Sequence, residues 1–284
     1  MLVQVDTLTL ISGPSAGAGK LYLSLLGDWD AVPESKSEIR ERPQAEGAYT
    51  VARDYRRSLA FSIKGAYLGD SHRDAQDAKR QIKAVFGRGR PVTVTVTDVD
   101  GPMRRVASVR SLVFEPDYEG SECVFTADLV AFDPLMYGVA QTLSTGIPES
   151  GGGLVFPLGS TGKFWDFGHD LDAGRIAFTN VGSAPTWGQI DVRGGMTEGF
   201  VCTNVTTGQQ VRFSREIPPN SVVGVNLRTG RAWIDSAEND VSGFLTVREF
   251  FSVEAETQNV IAFAALGQVS GVPQFSFTAS PAYR

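Results

Sequence analysis

The chain has 284 residues and carries 26 basic and 32 acidic side chains, giving a formal net charge of −6. This acidic balance argues against a protein that binds DNA regardless of sequence. The composition is 42% hydrophobic and 20% charged, which excludes a disordered chain. No run of 18 apolar residues occurs, so no membrane-spanning helix is predicted.

The first elements alternate in the manner of β-strands. Residues 1–11 predict one strand and lack the basic and long apolar regions of a signal peptide. A second strand begins at residues 21–25, and residues 59–65 place Leu59, Phe61 and Ile63 on one face. Between them, residues 27–48 are polar, charged and too long for a hairpin turn. We therefore predict a protruding arm or long loop there.

One amphipathic helix is predicted over about residues 71–87. Ser71 is placed to cap it, with Asp74 three residues later in capping-box spacing. Gly87 and Gly89 end it. The apolar stripe that would face a core consists of Ala75, Ala78, Ile82, Val85 and Phe86.

Two further features complete the predicted first domain, residues 1–137. Residues 92–97 alternate Val and Thr as a strand, and Asp100-Gly101 predicts the hairpin turn before a return strand at 106–115. A last strand begins at residue 123 and stops at Asp133-Pro134, because proline cannot donate to a β-ladder. This domain is predicted to be mostly antiparallel β.

The remainder of the chain has a different character. Residues 138–172 are glycine-rich and predict a linker with a long loop, whereas residues 173–284 contain short strands at regular intervals. No helix signal accompanies these strands, so an all-β sandwich or barrel is predicted. The strand segments are 174–180, 186–193, 199–205, 209–214, 221–227, 231–235, 244–254, 258–264 and 274–280.

Several patterns imitate catalytic or ligand sites. Gly13 to Lys20 resembles a phosphate-binding loop, but Pro14 and Leu21 occupy positions that need glycine and Ser or Thr. His72 and His169 lack neighbours at zinc or triad spacing. Asp98 to Gly101 lacks the later ligands of a calcium loop. We predict no catalytic residue, no metal site and no cofactor.

The two cysteines, Cys123 and Cys202, lie in different predicted domains. One interpretation is a disulfide between the domains. The preferred interpretation is that both cysteines are buried, reduced thiols, since a free cysteine packs as a small hydrophobic residue.

Aromatic side chains in the second half suggest a second hypothesis. Trp165 lies in the loose segment and is the best candidate for an exposed contact with a saccharide or a partner protein. Trp187 and Trp233 are embedded in strand patterns, so core packing is the preferred reading for them. Phe164, Phe167 and Phe250-Phe251 complete the set.

Short segments in a fixed order carry a family resemblance, at residues 26–29, 46–48, 59–65, 131–138, 178–187, 204–208, 233–235 and 259–263. In this order and spacing the chain resembles the distal tail protein (Dit) family of long-tailed, non-contractile bacteriophages, also described as minor tail proteins. The resemblance covers nearly the whole chain. Two departures are Arg56-Arg57, which lie upstream of the usual arginine position, and residues 146–172, which do not align.

The resemblance implies a structural protein of the virion, located at the distal end of the phage tail and assembled in the host cytoplasm. Such proteins form a homohexameric ring that joins the tail tube protein to a tail-tip or fibre protein and serves host attachment. It implies a tail-tube-like first domain that makes the ring, with the arm reaching a neighbour. It also implies a galectin-like or carbohydrate-module-like second domain. DNA would pass a lumen lined by Thr93 and Thr95 without specific binding, and no membrane is involved.

Two alternative functions remain at this point. The second domain, with Trp165, would be a carbohydrate-binding module for host cell-wall saccharide. The other alternative is a β-sandwich glycosidase or depolymerase, which the absence of a triad or metal pattern disfavours.

Overall fold

The computed structural model describes residues 1–12, 19–38, 40–49, 55–116, 120–147 and 174–284. The chain divides into two compact units. The first contains residues 1–139 together with Tyr283 and Arg284, and the second contains residues 140–282. None of the helices in the described ranges is long and apolar enough to cross a membrane.

The described residues of the first unit form one α-helix and a β-sheet. Its elements are β1 (Leu2–Val5), β2 (Leu8–Ile11), β3 (Leu21–Gly27), β4 (Leu59–Leu68), α1 (His72–Phe86), β5 (Val92–Asp98), β6 (Gly101–Phe114), β7 (Glu122–Ala131) and β8 (Met136–Tyr137).

Seven of these strands close into a barrel. The order runs β5-β1-β2-β3-β4-β7-β6, and β6 pairs with both β7 and β5, which closes the ring. All pairs are antiparallel except β2 with β3. Alternate side chains point inward and form a core from every strand, including Val5, Ile63, Val94 and Phe125. The predicted mainly β fold with an N-terminal barrel and one helix is confirmed.

Helix α1 packs against the barrel through the predicted stripe. Ala75, Ala78, Ile82, Val85 and Phe86 are its buried residues. Ser71 caps the helix, because its Oγ accepts a hydrogen bond from the Asp74 backbone N–H at 3.3 Å and donates to the Asp74 carboxylate at 2.8 Å. Gly87 ends it. Sequence and local geometry agree throughout this element.

Two turns of the first unit differ from the prediction. Residues 1–11 form a hairpin rather than one strand, because Asp6 has a positive φ of 48° and its carboxylate accepts the Thr93 backbone N–H at 3.0 Å. The second hairpin turns at Val99 and Asp100, since Asp98 pairs with Gly101. The return strand therefore begins at Gly101, five residues earlier than residue 106.

The second unit contains two β-sheets. Its strands are β9 (Gln141–Gly146), β10 (Arg175–Thr179), β11 (Thr186–Met196), β12 (Phe200–Asn204), β13 (Gln210–Phe213), β14 (Val222–Asn226), β15 (Arg231–Ile234), β16 (Ser236–Asp240), β17 (Leu245–Arg248), β18 (Ser252–Val253), β19 (Gln258–Ala265) and β20 (Val269–Ala279), with a 3-10 helix at Ser242–Phe244. The last strand, β21 (Ala282–Tyr283), is shared between the units, since Tyr283 belongs to the first.

The two sheets pack face to face around one apolar core. One sheet has the order β10-β19-β12-β13-β17 and the other β16-β15-β14-β11-β20-β9. Phe263 of the first stacks on Phe275 of the second with ring centroids 4.3 Å apart, and Phe178 meets Phe277 edge-on at 5.4 Å. Such interdigitation of two inner faces defines a β-sandwich.

The prediction of a linker over residues 138–172 is wrong for the first part of that segment. Residues 141–146 form β9, which pairs with β20 along its whole length. Hydroxyl pairs support this pairing, with Thr142 2.8 Å from Thr278 and Ser144 2.9 Å from Ser276. A strand built from such polar residues lacks the apolar alternation by which strands are recognised. The rest of the expected linker, residues 148–172, lies outside the described ranges.

Candidate functional site

An extended hairpin-like arm lies between β3 and β4. Its two antiparallel segments, which we call its legs, pair through the isolated bridges Ser35 to Arg56 and Glu41 to Ala48. We call residues 34–38, 40–49 and 55–57 the arm. Backbone hydrogen bonds of 2.7 to 3.0 Å join its legs, from Lys36 to Tyr55, Arg57 to Glu34, Tyr49 to Arg40 and Arg42 to Gly47.

The arm has no apolar core of its own. Almost all of its residues are exposed, including Tyr49 at 61% and Tyr55 at 59%. At its tip the Arg42 guanidinium lies 5.9 Å from the centre of the Tyr49 ring. A two-stranded hairpin is only marginally stable in water by itself. Exposed aromatic side chains on a hairpin of this kind are suited to contact with another surface.

The root of the arm is fixed in the barrel by Trp29. This side chain is 4% exposed and meets Phe61 edge-on with ring centroids 5.3 Å apart. Arg105 lies over the indole at 4.8 Å and also donates a hydrogen bond to the Trp29 carbonyl. A cation above an indole face is a favourable contact, and more so where water is excluded.

Arg105 also holds the turn at which the first unit ends. Its Nε donates to the Pro134 carbonyl at 3.2 Å. The same turn is ordered by Asp133, which accepts the Tyr137 hydroxyl at 2.7 Å and the Leu135 backbone N–H at 3.2 Å. One buried arginine therefore connects the arm root with the exit of the chain from the barrel.

Burial sets the charge state of this arginine. Desolvation lowers the pKa of Arg105 to about 10, while the nearby carboxylates of Asp30 and Asp133 act in the opposite direction. The guanidinium thus stays charged at neutral pH. Removing it would leave two carbonyl oxygens without this donor.

Comparison with solved structures gives two informative matches. The crystal structure of the phage SPP1 Dit protein, described as a paradigm of the hub adsorption apparatus in phages that infect Gram-positive bacteria, matches with a TM-score of 0.60 and 12% identity over 91% of this chain and 92% of that chain. A component of the phage P2 baseplate in its activated conformation with Ca matches with a TM-score of 0.59 and 10% identity over 98% of this chain and 97% of that chain. The strontium form of that baseplate gives the same values.

The chain has a fold similar to phage hub and baseplate proteins. The distal tail resemblance predicted from the sequence is confirmed at the level of the fold, across both units. No family model matches the sequence, and no curated protein matches it.

The motifs that imitate active sites are dispersed. Lys20 precedes β3 and lines a cleft of about 610 Å³ together with the C-terminal part of α1 and with Arg88, which follows the helix. A phosphate site needs the opposite, N-terminal end of a helix. His72 lies at the start of α1, with Nδ1 3.0 Å from the Gly120 carbonyl. His169 and the candidate Trp165 lie outside the described residues.

Potential metal ligands and thiols are also dispersed. In the described part of the chain, no three His, Cys, Asp or Glu side chains cluster as metal ligands. Cys123 and Cys202 are both free and buried, so the preferred reading of two separate thiols is confirmed. Burial raises the pKa of both thiols, although Lys79 opposes the rise at Cys123.

The expectation that Trp187 and Trp233 belong to the core is wrong. Trp187 is 40% exposed. Trp233 is half-buried and lies on the outer face of its sheet, since its neighbour Ala232 points into the core. Because successive side chains of a strand point to opposite faces, the inward position of Ala232 places the Trp233 indole on the outer face. The prediction was wrong because it relied on the aromatic character of the two residues and not on which positions of each strand face the core.

The same outer face carries a partly desolvated carboxylate, Asp191. Burial raises the pKa of Asp191, and the Gln189 amide, which donates to both carboxylate oxygens, opposes the rise. Since the folded-state pKa lies above the unfolded value, the ionised form lowers stability once the pH exceeds that value. We expect Asp191→Asn to raise the urea midpoint at pH 7, with the gain disappearing as the pH falls below about 4.

Urea titrations at pH 3.5 and pH 7 measure this effect. The control is Glu216→Gln, an exposed acid of the same unit, which should leave both midpoints unchanged. A midpoint at pH 7 that falls in Asp191→Asn would contradict the expectation.

Proposed function

We propose that this protein is a structural component of a phage tail, a hub ring that joins the tail tube to the tail-tip or fibre apparatus. The single observation that carries the proposal is the fold similarity, which extends over 91% to 98% of the chain and includes both units. Those neighbours are hub and baseplate proteins. A structural role without a catalytic site fits them.

The arm provides the means of assembly. A ring of identical subunits needs a heterologous interface, in which one surface of each subunit contacts a different surface of the next. The arm offers such a surface, since it presents exposed Tyr49 and Tyr55 away from any core. We propose that it packs on the neighbouring subunit in a homohexamer.

The charge of the chain suits a conduit for DNA. A formal net charge of −6 provides no general attraction for phosphate. The Thr face of β5, opposite the buried Val92, Val94 and Val96, is half-buried and uncharged at Thr93 and Thr95. We propose that this face lines the lumen, so that DNA passes without specific binding.

Removal of the arm tests the assembly step. We expect replacement of residues 34–57 by a short Gly-Ser linker to convert ring particles into monomers, because the neighbour contact is lost while the barrel stays closed through β6. Light scattering after size exclusion measures the mass. Val205→Ser, which alters an exposed valine of the second unit, is the control and should leave the ring intact. An armless chain of ring mass would contradict the proposed contact.

Location in the virion tests the function itself. Gold-labelled antibodies against the chain should bind one position, the end of the tail distal to the capsid, and phages that lack the protein should have no functional tail tip. Labelling on the capsid, or normal tails without the protein, would overturn the proposal.

A further inference from the structure

The outer face of the larger sheet of the second unit carries an aromatic platform. Trp233 of β15 pairs with Gly224 of β14, and its indole fills the space that a side chain on Gly224 would occupy, with Nε1 2.6 Å from the position of that Cβ. The absent side chain allows the ring to lie against the strand. The side chain is half-buried, so part of the indole stays accessible to solvent.

A carboxylate borders this ring. Asp191 of β11 is the residue directly opposite Gly224, and opposite residues of antiparallel strands have Cβ atoms about 4.5–5.5 Å apart. The Gln189 amide donates to its two oxygens at 2.9 and 3.0 Å. The residues facing Asp191 from the neighbouring strands are Gly224 and Ser276, both uncharged. The ion pairs between described residues do not include Asp191.

Hydroxyl groups extend the surface on the other side. Ser276 and Ser144 continue the row of Asp191, and Thr278 and Thr142 continue the row of Gln189. Their hydroxyls form pairs at 2.9 and 2.8 Å. The face thus combines the indoles of Trp233 and of Trp187, which lies on the same face of β11, with the oriented Asp191 carboxylate and neutral hydroxyl and amide groups. The exposed Arg193, two residues beyond Asp191 in β11, lies on this face as well.

We propose that this face is a binding site for a neutral saccharide. A sugar ring presents an apolar C–H face, which suits the apolar face of the Trp233 indole. Its hydroxyl groups suit the Asp191 carboxylate and the Gln189 amide, since a hydrogen bond to a charged acceptor is stronger than one between neutral groups. The site is independent of the proposed tail function and of Trp165.

Shielding of a glycine backbone by an aromatic ring would account for Trp233 alone. It would not account for Asp191. An ionised carboxylate in a partly desolvated position, braced by an amide and lying beside an indole, is a feature typical of ligand sites rather than of sheet stability.

The test uses the full-length protein on an array of defined bacterial cell-wall and capsular oligosaccharides, followed by calorimetry with the strongest probe. We expect saturable binding that weakens at least tenfold in Asp191→Ala and in Trp233→Ala. Glu216→Gln is the control and should bind like the unaltered protein. Circular dichroism checks the fold of each variant, and Asp191→Ala decides the outcome if Trp233→Ala is unfolded. Absence of binding to every probe, or binding by Asp191→Ala within twofold of the unaltered protein, would overturn the proposal.

Discussion

Replacing Arg105 by alanine is expected to destabilise the first unit by about 3–5 kcal/mol, because each carbonyl that loses a buried charged donor costs about 1–3 kcal/mol and the lost side chain leaves a cavity. Arg105 is 1% exposed. The change leaves the carbonyls of Trp29 and Pro134 without this donor, removes the cation from the Trp29 ring and opens a void. It also takes the positive charge from beside Asp30 and Asp133.

Urea unfolding combined with hydrogen exchange resolved by segment measures this loss, which should be confined to the barrel and the arm root. Arg104→Ala, which alters the exposed neighbour in β6, is the matched control and should cost less than about 1 kcal/mol. Arg105→Met fills most of the volume and should recover part of the stability. An unchanged urea midpoint in Arg105→Ala would show that the arginine does not hold these elements together.

Gly199→Ala is expected to destabilise the second unit by about 3 kcal/mol or more. Gly199 has a φ of +87°, where an L-residue costs about 1–2 kcal/mol. A Cβ at this position would also collide with the Phe213 carbonyl oxygen of the paired strand β13. Because that atom belongs to the backbone, relief requires displacement of the strand, and overpacking of this kind costs about 1–3 kcal/mol more.

Gly208→Ala separates the two contributions. Gly208 has a similar φ of +80°, but no atom lies within 4 Å of its Cβ position. It should cost about 1–2 kcal/mol, from the backbone conformation alone. Equal losses in the two variants, measured by urea unfolding, would contradict the proposed collision of a Cβ added at Gly199 with the backbone of β13.

The sequence predicted those elements that are defined by residues within the element itself. Helix α1 was predicted within one residue at each end, because the Ser71 cap, the apolar stripe and Gly87 all lie inside the segment. Most strands of the second unit were predicted for the same reason, since their inward residues alternate. The predicted segment 244–254 is the exception and divides into β17 and β18.

Elements defined by distant partners were not predictable. The polar strand β9 is recognisable only from its pairing with β20, whose partner residues lie 128 to 138 positions further along the chain, from Gly146 with Gln274 to Gln141 with Ala279. The exposed edge strand β16 likewise lacks an apolar face. Arg105 follows Arg104 in a strand, and the sequence alone therefore predicts that it lies on the surface. Its partner Trp29 is 76 positions away, so only the folded chain shows that it fixes the arm root.

Ring formation by the chain is measured by the mass of the particle in solution together with negative-stain images. We expect a species of about six times the 30.5 kDa chain mass, seen end-on as a six-fold ring with a central hole. A particle that stays at the monomer mass, both alone and with tail tubes of the same phage, would contradict it.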